Sequence, residues 1–156
     1  MVALIMDDIF DKYRGDSTAL ISMLNDIQKK YKYLPMEALE QVSKKLHVSL
    51  AKIYGIITFY SHYKLNKPGK VNIKICHGTA CYVKNAEMIT NALKFDYDII
   101  PNKTTEDGLF SLEHVSCIGA CALAPTLEIN GEIHGEMDTK KIRKIINKIK
   151  RLEGSK

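Results

Sequence analysis

Four cysteines in two short stretches, CHGTAC at 76–81 and CIGAC at 117–121, are the residues of this chain best suited to chemistry. The pattern is C-x4-C, then about 35 residues, then C-x3-C. Four thiolates carried on two loops can enclose one inorganic centre. Zinc is a natural occupant of four thiolates, but its common knuckles use shorter gaps that wrap a single ion tightly. The wide gaps here suit a larger object, and a [2Fe–2S] cluster spreads four cysteine ligands over two irons. The other iron–sulfur patterns fail on spacing. A plant-type ferredoxin opens with C-x4-C but needs a further cysteine three positions on, where this chain has Lys84. The bacterial C-x2-C-x2-C-x3-C run is absent, and His77 beside Cys76 lacks the spacing of a Rieske ligand. Spacing therefore favours [2Fe–2S] and leaves a zinc ion or unligated thiols as alternatives. Gly78, Ala80, Gly119 and Ala120 supply small residues that let backbone N–H groups approach such a centre and help neutralise its charge.

The elements that must position these loops follow from periodicity. VNIKI (71–75) alternates apolar and polar residues as a half-buried strand does, and CHGTAC is the loop that leaves it. A helix is expected from about Val83 to Leu93, followed by a loop over FDYDIIPNKTTEDG that opens with a short strand. LFSLEHV (109–115) reads as a second strand feeding the second cysteine pair. TLEINGEIHG places Asn130-Gly131 between two alternating runs, a hairpin signal because both residues tolerate positive φ. Asp138 is positioned to cap a last helix carrying Ile142, Ile145, Ile146 and Ile149, with Gly154 as its C-cap. Strand, helix, strand, hairpin and helix make a small α/β sheet domain.

The first part of the chain has a different grammar and reads as helical. Asp16 or Ser17 can cap a helix with an apolar stripe of Leu20, Leu24, Ile27 and Tyr31. Pro35 suits the first turn of the next helix, with Ala38, Leu39, Val42 and Leu46 on its apolar face. Ser49 caps a third, with Leu50, Ile53, Tyr54 and Ile57 inward. Its β-branched and aromatic continuation, GIITFYSHY, leaves the end of that helix open. The Pro-Gly turn in LNKPGK marks the boundary, so residues 1–66 are expected to be a helical region and 67–156 the cysteine-bearing α/β domain.

Composition narrows the function classes. The chain has 156 residues, is 46% hydrophobic and 26% charged, and carries a formal charge of +5, which suits one or two globular domains. No basic stretch is interleaved with stacking aromatics, so nucleic acid is not an expected partner. No apolar run approaches the roughly 18 residues of a membrane span, so direct membrane insertion is not expected. MVALIMDDIF is too short and too acidic at its flank for a secretory signal, and a cytoplasmic location is expected. In that reducing compartment the cysteines are not structural disulfides. No glycine-rich phosphate loop or G-x-G-x-x-G occurs, so the chain alone is not expected to bind a nucleotide or to have an active site of its own.

VNIKICHGTACYVKNAEMI and DGLFSLEHVSCIGACALAPTLEINGEIHGEMD resemble the thioredoxin-like [2Fe–2S] ferredoxin domain. That domain occurs in the small iron–sulfur subunit of NADH:quinone oxidoreductase and in NAD(P)-linked hydrogenases and formate dehydrogenases. The YLP and YG-x-x-TFYS stretches of the N-terminal half are similar to the helical region of the same family, and the resemblance covers roughly residues 17–150. It implies that Cys76, Cys81, Cys117 and Cys121 ligate one [2Fe–2S] cluster that exchanges single electrons with a larger flavin subunit. It places FMN and NAD(P) on that partner subunit, with a hydrogenase catalytic subunit as a further partner, and assigns docking to the helical region. The short chain and its Lys/Ile/Asn-rich composition favour a soluble or electron-bifurcating hydrogenase over the respiratory complex or a formate dehydrogenase. A zinc-stabilised adaptor is the rival of another class. The resemblance also implies a cis Ala124–Pro125 bond ahead of the TLEI strand, where an X–Pro bond makes cis inexpensive.

Other residues carry two readings each. His77 is a loop residue or a group that tunes the cluster, and Lys84 is solvated or offsets cluster charge. His62, His114 and His134 read as ordinary strand or helix-end residues. Tyr54, Phe59, Tyr60 and Tyr63 either face a partner or pack the helical region against the sheet domain. The Lys-rich last helix presents a solvated face or a docking surface.

Overall fold

The computed structural model describes residues 2–14 and 16–154. They fall into two compact units, Met1–Lys67 and Pro68–Lys156, each with its own hydrophobic core.

The first unit is helical: α1 (Val2–Tyr13), a 3-10 turn (Ser17–Ala19), α2 (Leu20–Tyr31), α3 (Met36–Leu46) and α4 (Leu50–Phe59). Asp16 takes the capping role, accepting from the N–H of Thr18 at 2.8 Å and from its hydroxyl at 2.7 Å. Pro35 stands one residue before α3 with extended backbone, as its N-cap. Ser49 accepts from the N–H of Lys52 at 3.3 Å to open α4. The apolar stripes converge: Leu20, Met23, Leu24 and Ile27 of α2 meet Ala38, Leu39, Val42 and Leu46 of α3 and Ile53 and Ile57 of α4. Helix α4 stops at Phe59. Near its end the Thr58 hydroxyl donates to the carbonyls of Tyr54 at 2.9 Å and Gly55 at 3.3 Å, a side-chain bond to the preceding turn.

The chain after α4 returns to α2. Gln28 donates to the carbonyl of His62 and accepts from the N–H of Lys64, both at 2.7 Å. Tyr63 is buried in this core, and its hydroxyl donates to Asn25 Oδ1 at 2.9 Å. The aromatic run therefore divides. Tyr63 packs within the helical unit itself, Tyr54 is half-buried there, and Phe59 and Tyr60 are exposed.

The second unit runs β1 (Val71–Cys76), α5 (Thr79–Val83), α6 (Ala86–Tyr97), β2 (Phe110–Val115), a 3-10 turn (Cys121–Leu123), β3 (Leu127–Ile129), β4 (Glu132–His134) and α7 (Thr139–Gly154). The sheet order is β2-β1-β3-β4, with β1 parallel to β2 and antiparallel to β3. The two faces of β1 differ as its alternation requires. Val71, Ile73 and Ile75 join the core with Ile89 and Leu93 of α6, and Ile142 and Ile146 of α7. On the opposite face Asn72 donates to Glu113 at 3.2 Å and Lys74 to Glu128 at 2.7 Å across the strands. Helices α6 and α7 are joined at their rim by Arg143 Nε to Asp96 at 2.6 Å and by the Tyr97 hydroxyl to Asn147 at 3.1 Å.

Several details depart from expectation. The single helix from Val83 to Leu93 is two: α5 begins inside the CHGTAC stretch, and α6 runs on to Tyr97. Asn85 between them, at φ +63°, breaks the helical path. Residues 98–109 form no named strand; isolated bridges tie Pro101 to Leu112 and Thr104 to Ser111. The Asn130-Gly131 hairpin is present, with φ of +50° and +93°. Asp138 caps α7 by accepting from the N–H of Lys141 at 2.7 Å. Helix α7 extends to Gly154, and a C-cap geometry there lies outside the described residues. The Ala124–Pro125 bond is cis. Gly69 in the interdomain turn has a steric role, because a Cβ there would stand 2.6 Å from the Phe110 carbonyl carbon.

Phe110 is fully buried in the sheet core. Phe110→Ala is expected to cost about 3–5 kcal/mol, read as a lower urea midpoint for the second unit at an unchanged denaturant slope.

Candidate metal centre

Parallel pairing places the two cysteine loops side by side. Cys76, the last residue of β1, is in register with Val115, the last residue of β2, so both strands end together. The first chain turns directly into α5, which carries Cys81. The second continues two residues to Cys117 and then into the 3-10 turn that carries Cys121. The N–H of His77 donates to the Val115 carbonyl at 2.8 Å, extending the ladder one residue into the loops.

Gly78 sits where the loops touch. A Cβ there would stand 2.9 Å from the Ser116 carbonyl oxygen and 3.6 Å from Cys117 Cβ. Glycine at 78 therefore sets how closely the two halves of the site approach. Gly119 serves by conformation, at φ +88°, which aims its N–H at Cys117 Sγ over 3.3 Å.

The four sulfurs form an inner and an outer pair. Cys76 and Cys81 are buried, and Cys117 and Cys121 are exposed. The outer sulfurs lie 4.0 Å apart. Two thiolates held at about 2.3 Å by one tetrahedral metal ion would stand roughly 3.8 Å apart, close to the spacing of this pair. Two pairs on facing loops are what a two-iron centre requires of its ligands.

Electrostatics are tuned unequally. Burial opposes ionisation of Cys76, but the N–H groups of Gly78 and Ile118, with the Cys81 and Thr126 side chains, outweigh it and hold the thiol below its ordinary value. Cys121 is pushed above its ordinary value, first by its hydrogen bond to Cys117 and then by charge on Cys117, Cys76 and Cys81. Neighbouring thiols resist ionising together, and a cation between them removes that penalty. The donor set, its pairing and its surrounding N–H groups fit a [2Fe–2S] cluster.

Several contributors carry no cysteine-like signal in the sequence. Ile118 supplies an N–H to Cys76, a place that small residues such as Ala80 and Ala120 are expected to fill. The Thr126 hydroxyl lies 3.4 Å from Cys81 Sγ. The segment after β4 folds over the Cys121 turn: the N–H of Glu136 donates to the Leu123 carbonyl at 2.6 Å, and a Cβ on Gly135 would stand 2.6 Å from Leu123 Cβ. A glycine directly after a hairpin strand is the one hint of that close approach. His77 is not a free loop residue; its ring stacks on His114, with centroids 3.8 Å apart. Lys84 lies exposed at the end of α5.

The profile of thioredoxin-like [2Fe-2S] ferredoxins matches residues 6–150. The chain belongs to the thioredoxin-like [2Fe-2S] ferredoxin family. Its cofactor is accordingly one [2Fe–2S] cluster. The NADP-reducing hydrogenase subunit HndA of Solidesulfovibrio fructosivorans is 35% identical over 127 residues, 81% of this chain and 74% of that protein. An NADH-quinone oxidoreductase subunit of Rickettsia felis is 31% identical over 146 residues, 92% of this chain and 87% of the relative. Among solved structures, an NAD+-reducing [NiFe]-hydrogenase in its air-oxidised state superposes with a TM-score of 0.65 at 22% identity. That match covers 86% of this chain but only 23% of the hydrogenase chain, and it shows the shared fold.

Two outcomes test the geometry. Gly78→Ala should wedge the loops apart and lower iron and acid-labile sulfide per chain relative to wild type prepared in parallel. His114 provides a pH test: burial first, and His77 second, hold its imidazole below the ordinary value of 6.5. The neutral ring is favoured in the folded protein, so its contribution to stability is present above pH 6.5 and is lost as pH falls through the depressed folded value. His114→Gln should therefore lose less Tm than wild type on going from pH 7 to pH 6.

Proposed function

We propose that this chain is the small electron-transfer subunit of an NAD(P)-linked oxidoreductase complex, with Cys76, Cys81, Cys117 and Cys121 as the ligands of its cluster. The observation that carries the reading is the meeting of two cysteine pairs at the shared end of β1 and β2, one pair buried and one exposed. When bound by these four cysteines, a [2Fe–2S] cluster would supply one-electron chemistry, with a net charge of about −2 oxidised and about −3 reduced. The chain's part is to hold the thiolates and lower the cost of that added charge. The N–H groups of Gly78, Ile118 and Gly119 point at ligand sulfur and supply fixed positive dipole ends. Burial of Cys76 and Cys81 keeps water from the inner side, while the exposed Cys117 and Cys121 mark the side nearer an electron partner.

The partner in this reading is a larger flavin subunit that carries FMN and NAD(P), since this chain has no phosphate-binding loop. The hydrogenase relative and the composition support a soluble or bifurcating hydrogenase; the NADH-quinone oxidoreductase relative supports the respiratory complex as the second setting. Among the described residues no helix is long and apolar enough to cross a membrane, and a cytoplasmic location belongs to the same proposal. The helical region, residues 1–66, serves in docking, and residues 67–156 carry the cluster.

Anaerobically purified protein should show sulfide-to-iron charge-transfer bands, two irons per chain and an EPR signal on reduction. A colourless protein containing zinc would overturn the reading. Cys81→Ala should lose the cluster or leave it labile, because the site couples two loops through its metal; a full, stable cluster in that variant would break the ligand assignment. A chain starting at Lys67 should assemble the cluster yet bind the flavin subunit less tightly than the whole chain. Equal affinities would remove the docking role.

A further inference from the structure

Thr126 is one of three polar or charged residues buried among those described, and its side chain faces sulfur. It stands between Pro125 and the first residue of β3, only 1% exposed. Its main-chain carbonyl accepts from the N–H of Cys76 at 3.2 Å, so the same residue that pairs with the inner cysteine also projects its hydroxyl into the site. That hydroxyl lies 3.4 Å from Cys81 Sγ. A buried hydroxyl is unfavourable unless it is bonded, and a valine of similar shape would fill the space without that cost. The hydroxyl therefore calls for a role that its shape does not supply.

The direction of the bond follows from the ligand chemistry. A cysteine that ligates a metal is a thiolate and can only accept. The Thr126 hydroxyl must then donate its single proton to sulfur. We propose that Thr126 is a positioning residue that sets the reduction potential of the cluster, by donating an O–H···S hydrogen bond to Cys81 of the buried pair. Reduction adds one electron, breaks no bond and moves no proton, and part of the added charge falls on the ligand sulfurs. A donor aimed at sulfur stabilises the reduced form more than the oxidised form, which raises the potential. Its effect is amplified because the inner pair is screened from water. The exposed pair has a different neighbour, the N–H of Gly119, which no side-chain substitution removes.

The inference rests on the cluster reading above, and the test separates the two. Wild type, Thr126→Val and Thr126→Ser are each titrated by spectroelectrochemistry on the full chain. Absence of a [2Fe–2S] spectrum in wild type would defeat the cluster reading itself. With the cluster present, Thr126→Val should keep two irons per chain and show a reduction equilibrium constant lower by on the order of tenfold, ~59 mV more negative for one electron. Thr126→Ser, which restores the donor, should return towards wild type. In reduced wild type and the serine variant, the cluster-coupled proton signals that disappear on exchange into D2O should include one more than in the valine variant, whose main-chain N–H signals remain. An unchanged potential in Thr126→Val, or a serine variant shifted as far as the valine variant, would overturn the proposal. Where Thr126→Val fails to hold its cluster, Thr126→Ala takes its place against serine with the same two outcomes.

Discussion

The contact on which the rest of the structure depends is the one between two cysteine-bearing loops at a single end of the sheet. Parallel pairing of β1 and β2 is what makes it possible. Antiparallel neighbours would leave the sheet at opposite ends and separate Cys76 from Cys117; parallel neighbours in register from Val71↔Phe110 to Cys76↔Val115 end together. A parallel pair needs a crossover between its strands. Helices α5 and α6 supply it, and α5 also delivers Cys81 into the site. One connection thus closes the fold and brings a second cysteine beside Cys76. Gly78 then determines how near the loops come, since the Ser116 carbonyl occupies the space a side chain would need.

Charge is the second constraint, and it acts against the first. Sulfurs brought this close repel one another as thiolates; the Cys121 thiol is raised first by its hydrogen bond to Cys117 and then by charge on its neighbours. The loops answer with backbone donors. Gly78, Ile118 and Gly119 all turn N–H groups towards sulfur, and the pull on Cys76 prevails over its burial. The gradient from a buried inner pair to an exposed outer pair follows from topology. The inner pair begins at the end of β1, flanked by a strand on either side, while the outer pair lies beyond the end of edge strand β2.

The helical unit solves a different problem. Its stripes close on one another, and the segment around His62–Lys64 is drawn back onto α2 by Gln28, so its core is complete within residues before the interdomain turn. Phe59 remains largely outside that core.

Much of this was legible in the residues themselves. The cysteine spacings, the Asn130-Gly131 hairpin, the Asp138 and Ser49 caps and the helical stripes are local signals, each contained within a few positions. Local rules read them correctly because their physics is local: side-chain period, positive φ, an oxygen near a free N–H. The split between α5 and α6 was missed because it turns on one residue, Asn85, adopting a left-handed conformation inside an otherwise helical pattern. The stacking of His77 on His114, the fit of Gly135 against Leu123 and the hydroxyl of Thr126 at Cys81 all join residues distant in the chain. The sequence by itself determined that the four cysteines stand in two closely spaced pairs, each beyond a strand. Only the tertiary structure decided which pair is buried and which donors face sulfur, because strand order and register bring those groups together, and neither is encoded in the spacing of any one segment.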